Sequence, residues 1–285
     1  MKALITGADG QLGQALQRTA PEGAEVVATT SSVLDIGDAK AVRSFVSATG
    51  PQILINAAAY TAVDQAETDS ELAFRINGDA VGFLARAGEA VGARFVHVST
   101  DFVFDGEAGR PYAPDAPTAP IGVYGCSKLR GEHEAGEGAL IVRTAWVYGS
   151  QGNNFVRTIL RLIADRDELR VVADQIGTPT WASSLADGIW KLAAAGANGV
   201  YHYTDSGAAS WYDLAVAVQE EALELGLVDR TAKILPIPSS AYPTPARRPH
   251  YSVLDKEATT AMLGLPAPHW RANLRLMLRE VRDQS

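Results

Sequence analysis

The 285-residue chain is long enough to bury a large core, as one big α/β unit or as two lobes. Its 47% apolar and 20% charged residues exclude a disordered or fibrous chain, and 25 basic against 33 acidic residues, a net charge of -8, leave no basic track for a nucleic acid. The single cysteine, Cys126, excludes an internal disulfide and any CxxC metal site and suits a reducing cytosol.

The first strand begins at Lys2, which leaves no room for a cleaved signal, and no apolar run approaches the roughly 18 residues of a spanning helix. A cytoplasmic protein with no membrane or nucleic-acid partner is expected. Short apolar runs and amphipathic stretches then alternate: Ala3 to Thr6, Leu12 to Thr19, Ala24 to Thr29, Asp38 to Ala48 and Ile53 to Asn56. Strand and helix periods in this order imply βαβ units and a parallel sheet.

Apolar residues at helical spacing from Leu72 to Val91 predict one long helix over Asp69 to Val91, followed by a strand over Phe95 to Val98. A second helix carries Tyr124 to Glu134, and Leu140 to Val142 reads as the next strand. After Tyr148 the pattern loosens into prolines, polar loops and separate helices. The expected architecture is therefore an α/β, Rossmann-type doubly wound parallel sheet over residues 1–148, with a smaller substrate-binding lobe over 149–285. The helix near 183–196 is expected to pack back on the first lobe.

Gly7, Gly10 and Gly13 follow the first strand and open the first helix, the context that a dinucleotide fingerprint requires. Gly7 allows the tight turn, Gly10 the approach of a pyrophosphate, and Gly13 close helix packing, while free helix amides face the anion. The second strand ends in Thr29-Thr30-Ser31-Ser32 with no acid to grip a ribose 2′-hydroxyl, which favours NADPH over NADH without excluding NADH. Asp35 stands just beyond, as an adenine contact or a solvated loop carboxylate.

Tyr124 and Lys128 are four apart and share one helical face. An ammonium beside a phenol lowers a pKa that starts near 10, so this pair predicts an acid able to protonate an alkoxide as hydride reaches a carbonyl. Thr100, at the end of a strand, is placed to hold the carbonyl oxygen or to cap the turn.

Gly7-Ala8-Asp9-Gly10-Gln11-Leu12-Gly13, Asn56-Ala57-Ala58-Ala59-Tyr60-Thr61, Ser99-Thr100-Asp101 and the Tyr124–Lys128 pair resemble the extended short-chain dehydrogenase/reductases. Further segments, among them Gly152-Asn153-Asn154-Phe155, Asp174-Gln175-Ile176-Gly177-Thr178-Pro179-Thr180 and Tyr242-Pro243-Thr244-Pro245-Ala246-Arg247-Arg248-Pro249, are similar to the dTDP-4-dehydrorhamnose reductase family, essentially end to end.

The resemblance implies hydride transfer from NADPH to C4 of dTDP-4-dehydro-L-rhamnose, giving dTDP-L-rhamnose, with Tyr124 the acid, Lys128 its partner and ribose clamp, and Thr100 the carbonyl holder. It implies a cofactor site of Gly7, Asp9, Gly10, Gln11, Leu12, Gly13, Thr30, Asp35, Ile36, Ala57, Ala58 and Tyr60 with Tyr124 and Lys128. The implied substrate site comprises Thr61, Val63, Thr100, Asp101, Phe102, Tyr124, Trp146, Asn153 and Arg247, with Arg247 and Arg248 read as diphosphate contacts.

Phe102 departs from the tyrosine common at its position. It also argues against a dehydratase, which needs an acid there. A reductase of another dTDP-4-keto-6-deoxy sugar and a non-catalytic regulatory subunit, like that of methionine adenosyltransferase, stand as alternatives. Gln14-Ala15-Leu16-Gln17 lacks the carboxylate through which some relatives bridge a dimer by metal, and Ser183 stands where a second acid is expected. The expectation is a monomer or weak homodimer and no metal site. His97 reads as a hydrogen-bonded core residue, Asn77 as structural, and Glu132, Glu134, Glu137, Glu220, Glu221 and Glu224 as solvated helix faces.

Overall fold

A computed structural model describes residues 1–284. Six parallel strands form the central sheet. Five are β1 (Lys2–Thr6), β2 (Glu25–Thr29), β3 (Ile53–Asn56), β4 (Arg94–Thr100) and β5 (Leu140–Thr144), and the sixth is Gly199–His202. The spatial order is Gly199–His202, β5, β4, β3, β1, β2. Every residue of β3 and β5 is buried, as expected of parallel strands covered on both faces. The order reverses between β1 and β3, so the crevice outside their carboxyl ends is the switch point where such sheets bind ligands.

One face of the sheet is covered by α1 (Gln11–Arg18) and the helix Ala182–Ala194, tied together where Trp190 Nε1 donates to the Leu16 carbonyl at 3.1 Å. The other face is covered by α2 (Ala39–Thr49) and the helix Ala80–Ala90. The sixth strand, which the loosened pattern after Tyr148 does not foretell, pairs in parallel register with β5. The chain thus returns to the sheet through residues 182–202 after leaving it.

The helix expected over Asp69 to Val91 is present and runs without a break from Ser70 to Ala90, but its winding changes on the way. Ser70–Phe74 and Ala80–Ala90 are α-helical, and Arg75–Asp79 between them forms a π turn. Apolar spacing alone does not register such a turn, because the wider winding inserts a single residue into the helical repeat.

A second core gathers the helices Phe155–Asp165, Trp211–Glu224 and Trp270–Gln284 around Ile159, Ile163, Leu214, Val218, Leu274 and Met277. Beside it, Glu168–Val172 and Lys233–Ile237 pair in parallel. Glu221, read above as solvated, is buried here: its carboxylate accepts Arg271 Nε at 2.9 Å and Arg275 Nε at 2.5 Å. A carboxylate on an apolar helix face is tolerated because two guanidiniums from the C-terminal helix reach it.

Candidate active site

The glycine turn abuts the end of β3. Gly7 has φ +72°, and a Cβ there would lie 2.6 Å from the Ala58 amide nitrogen, so no other residue fits. Gly10 N-caps α1 without any side-chain cap, which leaves the first helical amides open to an anion. These observations fit a dinucleotide whose pyrophosphate approaches Gly7 and Gly10, while Gly13 lets the helix pack on the turn, since a Cβ there would lie 2.0 Å from the Gly7 carbonyl oxygen. Asp9 is exposed on the turn, while Leu12 is half-buried. Gln11 Oε1 accepts Asn154 Nδ2 at 2.9 Å, so this side chain links the turn to the second lobe.

At the end of β2, the Thr30 hydroxyl lies 2.8 Å from that of Ser32, and Ile36 is buried. Asp35 accepts the Gly37 amide and pairs with Arg75 at 3.7 Å. Arg75 thus brings a cation to the β2 edge that no residue near Thr30 in the sequence supplies. Only the π-turn segment carries it there.

Thr100 ends β4, and Tyr124 and Lys128 ride the helix Val123–Ala135. The helix lies against the turn after Thr100 because residue 125 has no side chain: a Cβ on Gly125 would stand 2.2 Å from the Phe102 carbonyl oxygen. Its first amide, that of Val123, donates to Glu67 Oε1 at 2.9 Å, a carboxylate suited to the positive helix end. Glu67 is a contact that sequence spacing does not show.

Asn77, in the π turn, accepts the Tyr60 amide at 2.8 Å and donates to the Tyr60 carbonyl and to the Ser127 hydroxyl, each at 3.0 Å. It thereby clamps the Ala57–Tyr60 segment to the helix of Tyr124. The Tyr60 hydroxyl donates to Asp69.

The sequence predicts that Lys128 lowers the Tyr124 pKa. Instead, burial pushes Tyr124 up to about 12; the Thr100 hydroxyl pulls it down and the Asp101 carboxylate pushes it further up. Lys128 Nζ donates to the Val98 carbonyl at 2.6 Å and faces His97 Nε2 at 3.4 Å. The phenol is therefore held neutral, the state that a proton donor requires. Burial brings Lys128 down to about 8, partly opposed by Glu132.

His97 is fully buried, and its Nδ1 lies 3.2 Å from Asn56 Nδ2. Burial, then the Lys128 charge, hold it neutral well below the usual histidine range. Glu132, far from solvated, is buried: Arg143 grips both its oxygens and the Ser99 hydroxyl donates to Oε1.

The Thr100 hydroxyl accepts the Phe102 amide at 3.2 Å and donates to Asp101 at 3.0 Å, so it also caps the turn. Asp101 is buried beneath the site and does not face open space; burial raises it to about 6 against the pull of the Ser252 and Thr100 hydroxyls. Phe102 packs its ring edge-on to Tyr124, centroids 5.4 Å apart.

Trp146 is the one non-glycine residue with positive φ, 47°, among the described residues. It stacks on Trp211 at 3.6 Å, with Gly177 against its other side.

Next to this stack opens a cavity of about 800 Å³, walled by Phe155, Trp211, Tyr242, Asp64 and Arg248. Thr61 and Val63 lead into the short helix Val63–Ala66 that supplies Asp64. Arg248, read above as a diphosphate contact, forks onto Asp64 at 2.8 and 3.0 Å, because the loop folds its guanidinium back against the first lobe. Arg247 is exposed and makes no ion pair among the described residues. Asn153 is exposed, while its neighbour Asn154 caps the helix Phe155–Asp165. The segment 174–180 is paired with the residues just after 242–249, Ile176 N donating to the His250 carbonyl at 2.7 Å and Ser252 N to that of Ile176 at 2.8 Å.

Among the described residues no group of three or more His, Cys, Asp and Glu side chains could hold a metal ion, and no helix is long and apolar enough to cross a membrane.

The strand order, the anion-accepting glycine turn and the tyrosine–lysine helix beside it define a Rossmann-type oxidoreductase of short-chain dehydrogenase/reductase architecture. The particular family follows from comparison. A model described as RmlD substrate binding domain matches residues 1–283, and the chain belongs to that family. It is 44% identical to a dTDP-4-dehydrorhamnose reductase of Burkholderia thailandensis, over 100% of both chains. It superposes on a dTDP-4-dehydrorhamnose reductase structure from Clostridium acetobutylicum with TM-score 0.93 at 39% identity, covering 99% of this chain and 100% of that one. A Bacillus anthracis dTDP-4-dehydrorhamnose reductase in complex with NADP superposes with TM-score 0.92 at 37% identity, covering 98% and 99%.

Proposed function

We propose that this protein reduces the C4 keto group of dTDP-4-dehydro-L-rhamnose to give dTDP-L-rhamnose, with NADPH as reductant. The observation that carries the reading is full-length similarity to reductases of that name, joined to a tyrosine–lysine pair beside a dinucleotide turn. When bound, NADPH supplies the hydride; this chain's residues orient the ketone and move one proton.

Tyr124 delivers its phenolic proton to O4 as the alkoxide forms, and its raised pKa keeps that proton in place until negative charge develops nearby. Lys128 stabilises the phenolate left behind and clamps the cofactor ribose. Thr100 can turn its hydroxyl from Asp101 to the ketone oxygen, where it stabilises developing charge. Phe102 and Trp146 meet the sugar, the cavity lined by Trp211 and Tyr242 takes the rest of the nucleotide sugar, and the exposed Arg247 meets its diphosphate. The lobe after residue 148 adds to sugar recognition, which Thr100, Phe102 and Trp146 share from the first lobe, and the reaction runs in the cytoplasm.

The test is NADPH oxidation, followed by absorbance, with enzymatically prepared dTDP-4-dehydro-L-rhamnose. Wild type turns over, and Tyr124→Phe loses roughly 10²- to 10⁴-fold in rate. Absence of wild-type turnover refutes the substrate; full activity in Tyr124→Phe refutes the role of the phenol.

A further inference from the structure

We propose that Glu132 is a positioning residue of this reduction, a buried carboxylate that fixes the Tyr124–Lys128 helix to the strand end bearing Thr100 and stands one helical turn from the Lys128 ammonium. The inference rests on the role given to Lys128 above.

Glu132 follows Lys128 by four residues, so it lies one turn further along the same helical face. Its Oε1 accepts the Ser99 hydroxyl at 2.5 Å and Arg143 Nε at 2.9 Å, and its Oε2 accepts Arg143 Nη2 at 2.7 Å. Ser99 immediately precedes Thr100 in β4, and Arg143 lies in β5. One carboxylate thus joins the helix with the acid, the strand with the carbonyl holder, and the neighbouring strand. All three side chains are buried.

The pair is more than a stabilising salt bridge. Arg143 is well supplied without Glu132: Nη1 donates to the Pro114 carbonyl at 3.0 Å and faces His202 Nε2 at 3.5 Å, and the guanidinium lies over the Phe104 ring. Replacing such a buried pair by apolar residues often costs little stability, so folding alone does not require it.

Lys128, by contrast, is buried where an ammonium is disfavoured. From β4 it faces the Val98 carbonyl and a neutral His97; Asp101, after β4, acts on Tyr124. Glu132 is the charge that opposes the burial of Lys128. The ammonium is needed when Tyr124 gives up its proton, because the phenolate is stabilised by positive charge and not by an amine.

The test compares wild type, Glu132→Gln, Glu132→Asp and the double variant Glu132→Met with Arg143→Met, which keeps the core filled and neutral. The first readout is the alkaline limb of kcat/KM against pH. The second is the NMR titration of ¹³C-ε-labelled lysine, with the Lys128 signal assigned from Lys128→Arg; it needs no substrate. Wild type is expected to show a Lys128 midpoint near pH 8. The midpoint and the alkaline limb should fall together by about one unit in Glu132→Gln, and by less in the double variant, which removes the Arg143 cation along with the carboxylate; Glu132→Asp should restore part of the shift.

A folded Glu132→Gln that keeps the wild-type Lys128 midpoint overturns the proposal, since Glu132 then serves only Arg143. If Glu132→Gln fails to fold, the double variant compared with Arg143→Met alone decides: loss of the carboxylate between these two should lower the Lys128 midpoint by about one unit, and an unchanged midpoint overturns the proposal. If wild type does not reduce the keto sugar, the functional reading fails, while the lysine titration still decides whether Glu132 holds the charge on Lys128.

Discussion

Replacing Gly125 by alanine tests how closely the Tyr124 helix must approach the Thr100–Phe102 turn. The added Cβ would stand 2.2 Å from the Phe102 carbonyl oxygen and 2.9 Å from Pro120 Cβ. An ordinary contact needs more than 3 Å, so helix and turn must separate by about 1 Å. Overpacking of this kind costs roughly 1–3 kcal/mol of stability. The catalytic cost is larger, because the displacement falls between the proton donor and the carbonyl holder, and a misplacement of about 1 Å can cost on the order of 10²-fold in rate.

Steady-state kinetics and denaturant unfolding of Gly125→Ala would be set beside Gly138→Ala, where a Cβ meets nothing within 4 Å. The expectation is a drop in kcat of about 10²-fold at position 125, with the protein still folded and still binding NADPH, and near-neutral behaviour at position 138. Wild-type kcat in Gly125→Ala would refute the claim that this contact sets the distance between Thr100 and Tyr124.

Arg75→Ala should lower kcat/KM for NADPH by about tenfold and leave that for NADH nearly unchanged, since one cation at the β2 edge is removed; equal losses with both cofactors would contradict this. Asp64→Asn breaks the fork to Arg248, which is partly exposed, so stability should change by less than about 1 kcal/mol while KM for the nucleotide sugar rises; an unchanged KM would detach the loop from substrate binding.

Burial, then the Arg143 charge, hold His202 at about 3, below the ordinary histidine value of 6.5. The unfolded chain therefore takes up a proton that the folded one refuses. Stability is fully present above pH 6.5 and is lost as pH falls towards 3. His202→Gln should flatten that acid slope in unfolding experiments at pH 4 to 7; an unaltered slope would mean that other groups set it.

Local rules sufficed for much of this molecule. Alternating periods defined the first βαβ units, and Ile53 to Asn56 reads as a strand because all four positions are buried in a two-sided sheet. Gly7 was legible because its position between strand and helix has few other uses, and Tyr124 with Lys128 because residues four apart share a helical face.

What required the tertiary structure is whatever depends on contacts remote in sequence. Glu132 and Glu221 look like solvated charges until Arg143, Arg271 and Arg275 arrive from other elements to compensate them. The π turn of Arg75–Asp79 is silent in the apolar spacing, yet it delivers Asn77 to Tyr60 and Arg75 to Asp35. That Arg248 is held by Asp64 was not visible in the sequence, because the loop must close on the first lobe to bring the two together.

The sign of the Tyr124 shift was also beyond the sequence. Spacing shows a lysine near a phenol, but burial sets the shift once both are packed inside and the ammonium is directed to the Val98 carbonyl. The sequence by itself determined which chemistry the chain carries, since that follows from residue types at short, fixed spacings. The charge states, the clamps and the cavity were decided only by folding, which alone fixes burial and long-range partners.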